Sequence, residues 1–162
     1  MATFQFEGIN EYAERLQKLS DKAEGMIKRA VWEGARVVTD NVAKQITGLP
    51  EHEEGFVPDP YQPVTGVTKA EKAGLLSGLG LAAMQNSGGF INTKMGFSGY
   101  NAVVTKKYPK GQPNAMIARS IESGSSFRKK NPFIRKAVTA SKADAEAAMS
   151  ARFDADTKIY AL

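Results

Sequence analysis

Few residues in this chain are of a type and spacing that could do chemistry. Its one histidine, His52, stands among Glu51, Glu53 and Glu54. A metal centre or an acid–base pair needs groups that converge on one point, and adjacent positions on a proline-rich segment do not converge without special geometry. No Ser-His-acid set can be built beyond that histidine, and no serine lies in a nucleophile-elbow pattern. The glycines of "GLLSGLGLAAMQNSGG" fit neither phosphate-loop spacing. The sequence has no cysteine, which removes thiol catalysis, iron–sulfur clusters, cysteine-ligated zinc and disulfides together. No catalytic, cofactor-binding or metal-binding residue is assigned, and an enzyme is the least supported class.

Charge carries more information. Residues 94 to 142 hold eleven Lys or Arg against one acid, Glu122, so the rest of the chain is net negative although the whole is +5. Such asymmetry suits an acidic polymer such as DNA, or a neighbouring copy whose acidic part meets this basic part. The densest cations are Arg128, Lys129, Lys130, Arg135 and Lys136. They are candidates for a surface facing a partner or DNA, set against the simpler reading of a solvated face. Phe127 and Phe133 flank them, but Phe133 follows Pro132 at an expected helix start and reads as a core anchor. No base-reading module is visible, so any DNA contact is electrostatic and nonspecific.

The elements that must position these groups can be read from periodicity. At 162 residues, with 42% apolar and 24% charged residues, one globular domain over 1–162 is expected. Phe4 and Phe6 alternate with polar residues as a short strand ended by Gly8, and Asn10 then caps a helix carrying Tyr12, Leu16 and Leu19. A second, longer helix is expected from Asp21 to Ile46, with its apolar stripe at Ala23, Met26, Ile27, Ala30, Val31, Val37, Val38, Val42 and Ile46. The segment 48–67 is rich in Pro, Gly and acids and reads as a mobile loop. Thr68 and Glu71 have capping-box spacing for a short helix interrupted at Gly78 and Gly80. "FINTKMGF" and "YNAVVTKKY" read as strands, with Ser98-Gly99 as the hairpin turn between them. A short helix follows and stops at Gly124, and a long Ala-rich helix starts after Pro132. The fold class is therefore α+β: a small antiparallel sheet packed against a long N-terminal helix and a C-terminal helix. The N-terminus lacks signal-peptide features and the longest low-polarity stretch is too short for a bilayer, so no membrane partner is expected.

The order strand, "EGINEYAERLQKL", long helix, glycine-rich short helix and "NAMIARSIESGSS…KKNPFIRKAV" resembles the neck or tail-completion proteins of long-tailed bacteriophages, small head–tail morphogenesis proteins similar to the tenth gene product of a lambda-like coliphage. The most specific part is "IARSIESGSS" followed by "NPFIRKA", where the family has Glu-x-Gly-Thr and then Pro-Phe with a following Ala. Ser125 stands where Thr is common and Lys136 where Pro is frequent.

The resemblance implies a virion component at the head–tail junction, assembled in the host bacterial cytoplasm. It would be a homo-oligomeric ring, of six copies in the family, touching neighbouring neck, adaptor or tail-tube proteins, with no catalytic role and no cofactor. The tail terminator, capping the tail tube, is the rival within that class, and a nonspecific DNA-binding protein the rival outside it. A ring needs two different faces on each copy. The acidic loop with Glu51, Glu53, Glu54 and Asp59 and the basic segment from Arg128 to Lys136 are candidates for them. Glu122 and Gly124 are expected to form a structural corner. There Gly124 reverses the chain, Glu122 is held by a cation or by backbone amides, and Pro132 and Phe133 pin the final helix against the long one.

Overall fold

A computed structural model describes residues 9–53 and 61–161. The architecture is α+β, in the order α1 (Ile9–Thr47), α2 (Lys69–Gly78), β1 (Leu79–Leu81), β2 (Gln85–Ser87), β3 (Phe90–Asn92), β4 (Met95–Phe97), α3 (Asn114–Ser123) and α4 (Phe133–Ala161). The strand expected at Phe4 and Phe6 lies outside the described residues.

The two N-terminal helices expected from the sequence are one. α1 runs unbroken for 39 residues, about 58 Å at 1.5 Å per residue. Between Leu16 and Gly25 there is no proline, and side chains bridge the supposed gap: Gln17 donates to Asp21 and Lys28 pairs with Glu24. Asn10 is therefore inside the helix rather than capping it.

α4 returns antiparallel along α1. Arg29 meets Asp156, Gly34 lies under Met149 and Ala145, and Val42 and Ile46 share a core with Phe133 and Ala137. Both helices bury rows at every fourth position: Met26, Ala30, Gly34, Val42 and Ile46 face Phe133, Ala137, Ser141 and Ala145. Small residues in the middle of these rows let the two backbones approach closely. The Ser141 hydroxyl is satisfied within its own helix by the Ala137 carbonyl at 2.7 Å. Since Arg29 lies level with Asp156, the first four turns or so of α1 run past the end of α4, with Tyr12 and Leu16 exposed there.

At the other end of this shaft sits a head. α2, α3 and the start of α4 close over the last turns of α1, and Leu49, Val67, Leu75, Ile117, Ala118 and Ile121 join Val42, Ile46 and Phe133 in one core. Phe133 is 1% exposed and packs obliquely on Phe97, ring centroids 6.2 Å apart. The segment 48–67 is tied down at both described ends. The His52 amide donates to the Val67 carbonyl and the Val67 amide to that of Pro50, while the Val64 amide donates to the Phe127 carbonyl and the Lys129 amide to the Val64 carbonyl. Residues 54–60 of the expected mobile loop lie outside the described residues.

The strands form a single long hairpin in two pieces. β1 pairs with β4 (Leu79 opposite Phe97) and β2 with β3 (Ser87 opposite Phe90), with one extra residue on the first arm between the pieces. The turn is Gly88-Gly89, both at positive φ (62° and 91°), as a two-residue hairpin turn with matching twist requires. The turn expected at Ser98-Gly99 does not exist, and "YNAVVTKKY" is irregular. Its backbone groups instead pair with residues 108–112 and with its own Asn101 side chain, so no strand partner remains for it. The hairpin lies along α1, and Asn86 reaches Glu24.

Candidate functional site

The expected corner is built from both kinds of partner foreseen for Glu122. Its carboxylate accepts from the backbone amides of Ile134 (2.9 Å) and Arg135 (3.3 Å), and the Arg135 guanidinium stands 3.5 Å away. α4 begins at Phe133 behind Pro132, whose ring has no atom that could accept a hydrogen bond, and a carboxylate from α3 satisfies first-turn amides that would have no partner. Gly124 ends α3 at φ 79°, and a Cβ there would press on the Lys130 backbone at 3.2 Å. The chain between is a tight turn in which Ser125 and Arg128 exchange backbone hydrogen bonds, and Asn131 returns to the Ile121 carbonyl.

That turn places Arg128 in the opposite role from the one expected. Its side chain is 10% exposed and its Nη2 donates to both carboxylate oxygens of Glu71, at 2.8 and 2.9 Å, with Glu71 itself 6% exposed. Arg128 is therefore withdrawn from the surface set. The partner that draws it in is the capping box of α2, where Thr68 Oγ1 accepts from the Glu71 amide and Glu71 Oε2 from the Thr68 amide. Lys129, Lys130, Arg135 and Lys136 stay exposed around the start of α4.

Of the four acids expected on one loop, the structure describes Glu51 and Glu53. Glu51 lies 2.7 Å from Lys72 Nζ, whose hydrogen bond and charge hold its carboxyl below the usual value of 4.5. Lys72 also donates to the carbonyls of Thr47 and Leu49, closing the C-terminal end of α1. Glu53 is exposed. Glu54 and Asp59 lie outside the described residues. Among the described residues no group of three or more His, Cys, Asp or Glu is arranged to hold a metal ion, and no helix is long and apolar enough to cross a membrane.

The head contains a cavity of about 690 Å³ that the sequence did not reveal. Val64, Val103, Val104, Met116, Ile117 and Phe127 supply apolar walls, and the Glu71–Arg128 pair lies among the lining groups. Arg128 Nη1 is buried, with no hydrogen-bond partner among the described residues. Sequence signals pointed to the capping box alone. The convergence of segments around residues 64, 71, 103, 117 and 128 is a property of the tertiary fold.

Comparison with known protein families, with curated proteins and with solved structures finds no match for this chain. What the arrangement can do is therefore argued from its geometry. Its exposed features are a largely apolar cavity beside the Glu71–Arg128 pair, a cationic rim around the start of α4, and a hairpin lying along α1.

Proposed function

We propose that this chain is a structural subunit of a bacteriophage head–tail junction, a neck or tail-completion protein that works as a closed ring and lines the DNA passage. One observation carries the reading beyond the sequence resemblance: the acid of the "IESGSS" motif is spent on architecture. Glu122 caps α4, Gly124 turns the chain and Phe133 anchors the core, so the residues that most resemble the family build a corner and leave no reactive group in a cleft.

Large apolar side chains exposed at the extremities, Tyr12, Tyr61, Phe90 and Tyr100, also favour an assembling protein over a freely diffusing monomer. The ring would sit in the virion at the junction, in contact with adaptor or tail-tube proteins, and be put together in the bacterial cytoplasm.

Deleting the gene from its phage tests the reading. Filled heads and separate tails of normal length are the expected outcome; overlong tails indicate a terminator instead, and complete particles overturn both. The DNA-binding alternative rests on the exposed cations. Reversing Lys129, Lys130, Arg135 and Lys136 while sparing buried Arg128 separates the two. A salt-sensitive gel shift that disappears in this variant supports DNA contact, whereas intact DNA binding or none, with failed joining, assigns the cations to a protein neighbour.

A further inference from the structure

We infer that the uncovered N-terminal turns of α1 are a docking surface for an acidic amphipathic helix of another protein, which lies along Tyr12, Leu16 and Leu19 with its carboxylates against Lys22 and Arg15; the inference stands apart from the neck reading.

α1 carries two apolar rows that diverge near Met26. One faces α4 at every fourth position back from Ile46, and it ends at Met26 because its next member would be Lys22. The other is Tyr12, Leu16, Leu19, Ala23, Met26 and Ala30, in alternating steps of four and three. Such a row runs nearly straight along a helix and is the seam by which one helix takes a second. Its inner members are already occupied, Met26 being 0% and Ala30 5% exposed under α4. Its outer members lack that cover: Tyr12 is 65% and Leu16 49% exposed, with Leu19 and Ala23 half-buried. The outer turns therefore continue an interface that the fold itself has begun.

Charge selects what completes it. Arg15, Lys22 and Arg29 follow one another at intervals of seven residues and so line one flank of the seam. Arg29 defines what that flank takes, since its Nε stands 2.7 Å from the buried Asp156 of α4. The opposite flank, with Ser20 and Ile27, is uncharged. A helix that extends this pattern presents an apolar row with Asp or Glu beside it at heptad spacing.

A second copy does not supply such a helix. Two of these outer turns laid antiparallel would set Arg15 of one against Lys22 of the other, and laid parallel they would set both cations against uncharged residues. An anionic bilayer suits the surface no better. The face away from the seam bears Glu14 and Asp21, where a helix lying in such a bilayer carries cations.

The test uses the full chain and two synthetic peptides of about three heptads, both with leucine at the seam positions, one with glutamate and the other with lysine on the flanks. Fluorescence anisotropy should show the glutamate peptide binding, less tightly as salt is raised, and the lysine peptide failing to bind. Leu16→Ala, a change that favours helix, should leave the Tm within about 2 °C and weaken binding about ten-fold or more. Arg15→Glu combined with Lys22→Glu should exchange the preference, so that the lysine peptide binds instead. A frayed helix could not produce that gain.

Glutamate-peptide binding that survives Leu16→Ala, or that is lost only on reversal of Lys129, Lys130, Arg135 and Lys136, puts the peptide on the cationic rim and overturns the inference. Self-association that Leu16→Ala abolishes overturns it in favour of a second copy, and Leu16-dependent binding to anionic phospholipid vesicles without peptide binding overturns it in favour of a membrane. Peptide binding seen only after residues 1–8 are deleted assigns the row to the chain's own first residues. Each of these results leaves the head–tail reading standing, and complete particles after gene deletion would leave this inference standing in turn.

Discussion

Arg128 grips Glu71 across 57 residues of sequence, through a single guanidinium nitrogen within 2.9 Å of both carboxylate oxygens. The carboxylate that starts α2 is thereby also the carboxylate that fixes the turn before α4. One buried side chain joins the two halves of the head.

Removing one member of such a pair leaves a buried charge unmatched. Glu71→Ala should cost about 3–5 kcal/mol in urea unfolding. Glu71→Gln combined with Arg128→Met should recover most of that loss, because glutamine can still accept from the Thr68 amide and no buried charge remains. A double variant as unstable as Glu71→Ala would mean the ion pair is not what holds the turn.

At the second corner, Glu122→Ala should destabilise by about 1–2 kcal/mol, the usual cost of losing a helix N-terminal cap. Arg135→Ala should cost much less, since that side chain is largely exposed and its ion pair long. Thermal melts of the two variants side by side make the check. Equal effects, or none, would return Glu122 to the solvated helix residue it resembles in isolation.

Gly78 and Gly80 read alike in sequence and differ in the fold. A Cβ on Gly78 would collide with the Ser98 carbonyl and crowd Asn114, whereas Gly80 has open space. Gly78→Ala should cost roughly 2 kcal/mol or more, in line with other backbone clashes in packed regions. Gly80→Ala should fall within about 0.5 kcal/mol of wild type. Chemical denaturation of both tests the pair.

Glu51 gives a pH dependence of definite sign. Its carboxyl is held below the ordinary value of 4.5 by Lys72. The stabilisation is therefore present above that value and lost as pH falls through the lower, folded-state value. Glu51→Gln should have a lower Tm than wild type at neutral pH, and the two melting curves should converge in acid. A constant gap across the acid range would assign the effect to something other than this charge.

The local part of this fold was legible. Thr68 and Glu71 announce their capping box by spacing, Gly124 its helix end, and Phe133 its burial by following a proline at a helix start. The errors share a cause in relationships between segments. Polar residues around Leu19 to Asp21 suggested a break because α1 is there no longer covered by α4, so the apolar stripe that marks the packed part of the helix is interrupted. "FINTKMGF" looked like one strand because a one-residue offset between two short ladders leaves no mark on alternation. Arg128 was grouped with Lys129 and Lys130 by adjacency, although the turn directs it inward to an acid far away in sequence. The cavity has no local signature at all.

The seam between α1 and α4 has a thermodynamic grain. Around the head it is made of Phe133, Val42 and Ile46, but farther out of Ala30, Gly34, Ser141 and Ala145. These lose almost no rotamer entropy on packing and also remove little oily surface from water. At the distal end the buried Asp156, 3% exposed, is clasped by both Arg29 and Arg152. The small-residue middle thus lies between the head core on one side and Met26 with the Asp156 clasp on the other. Breaking that clasp should loosen the outer turns of α4 before the folded head, an order that amide hydrogen exchange along α4 would read out.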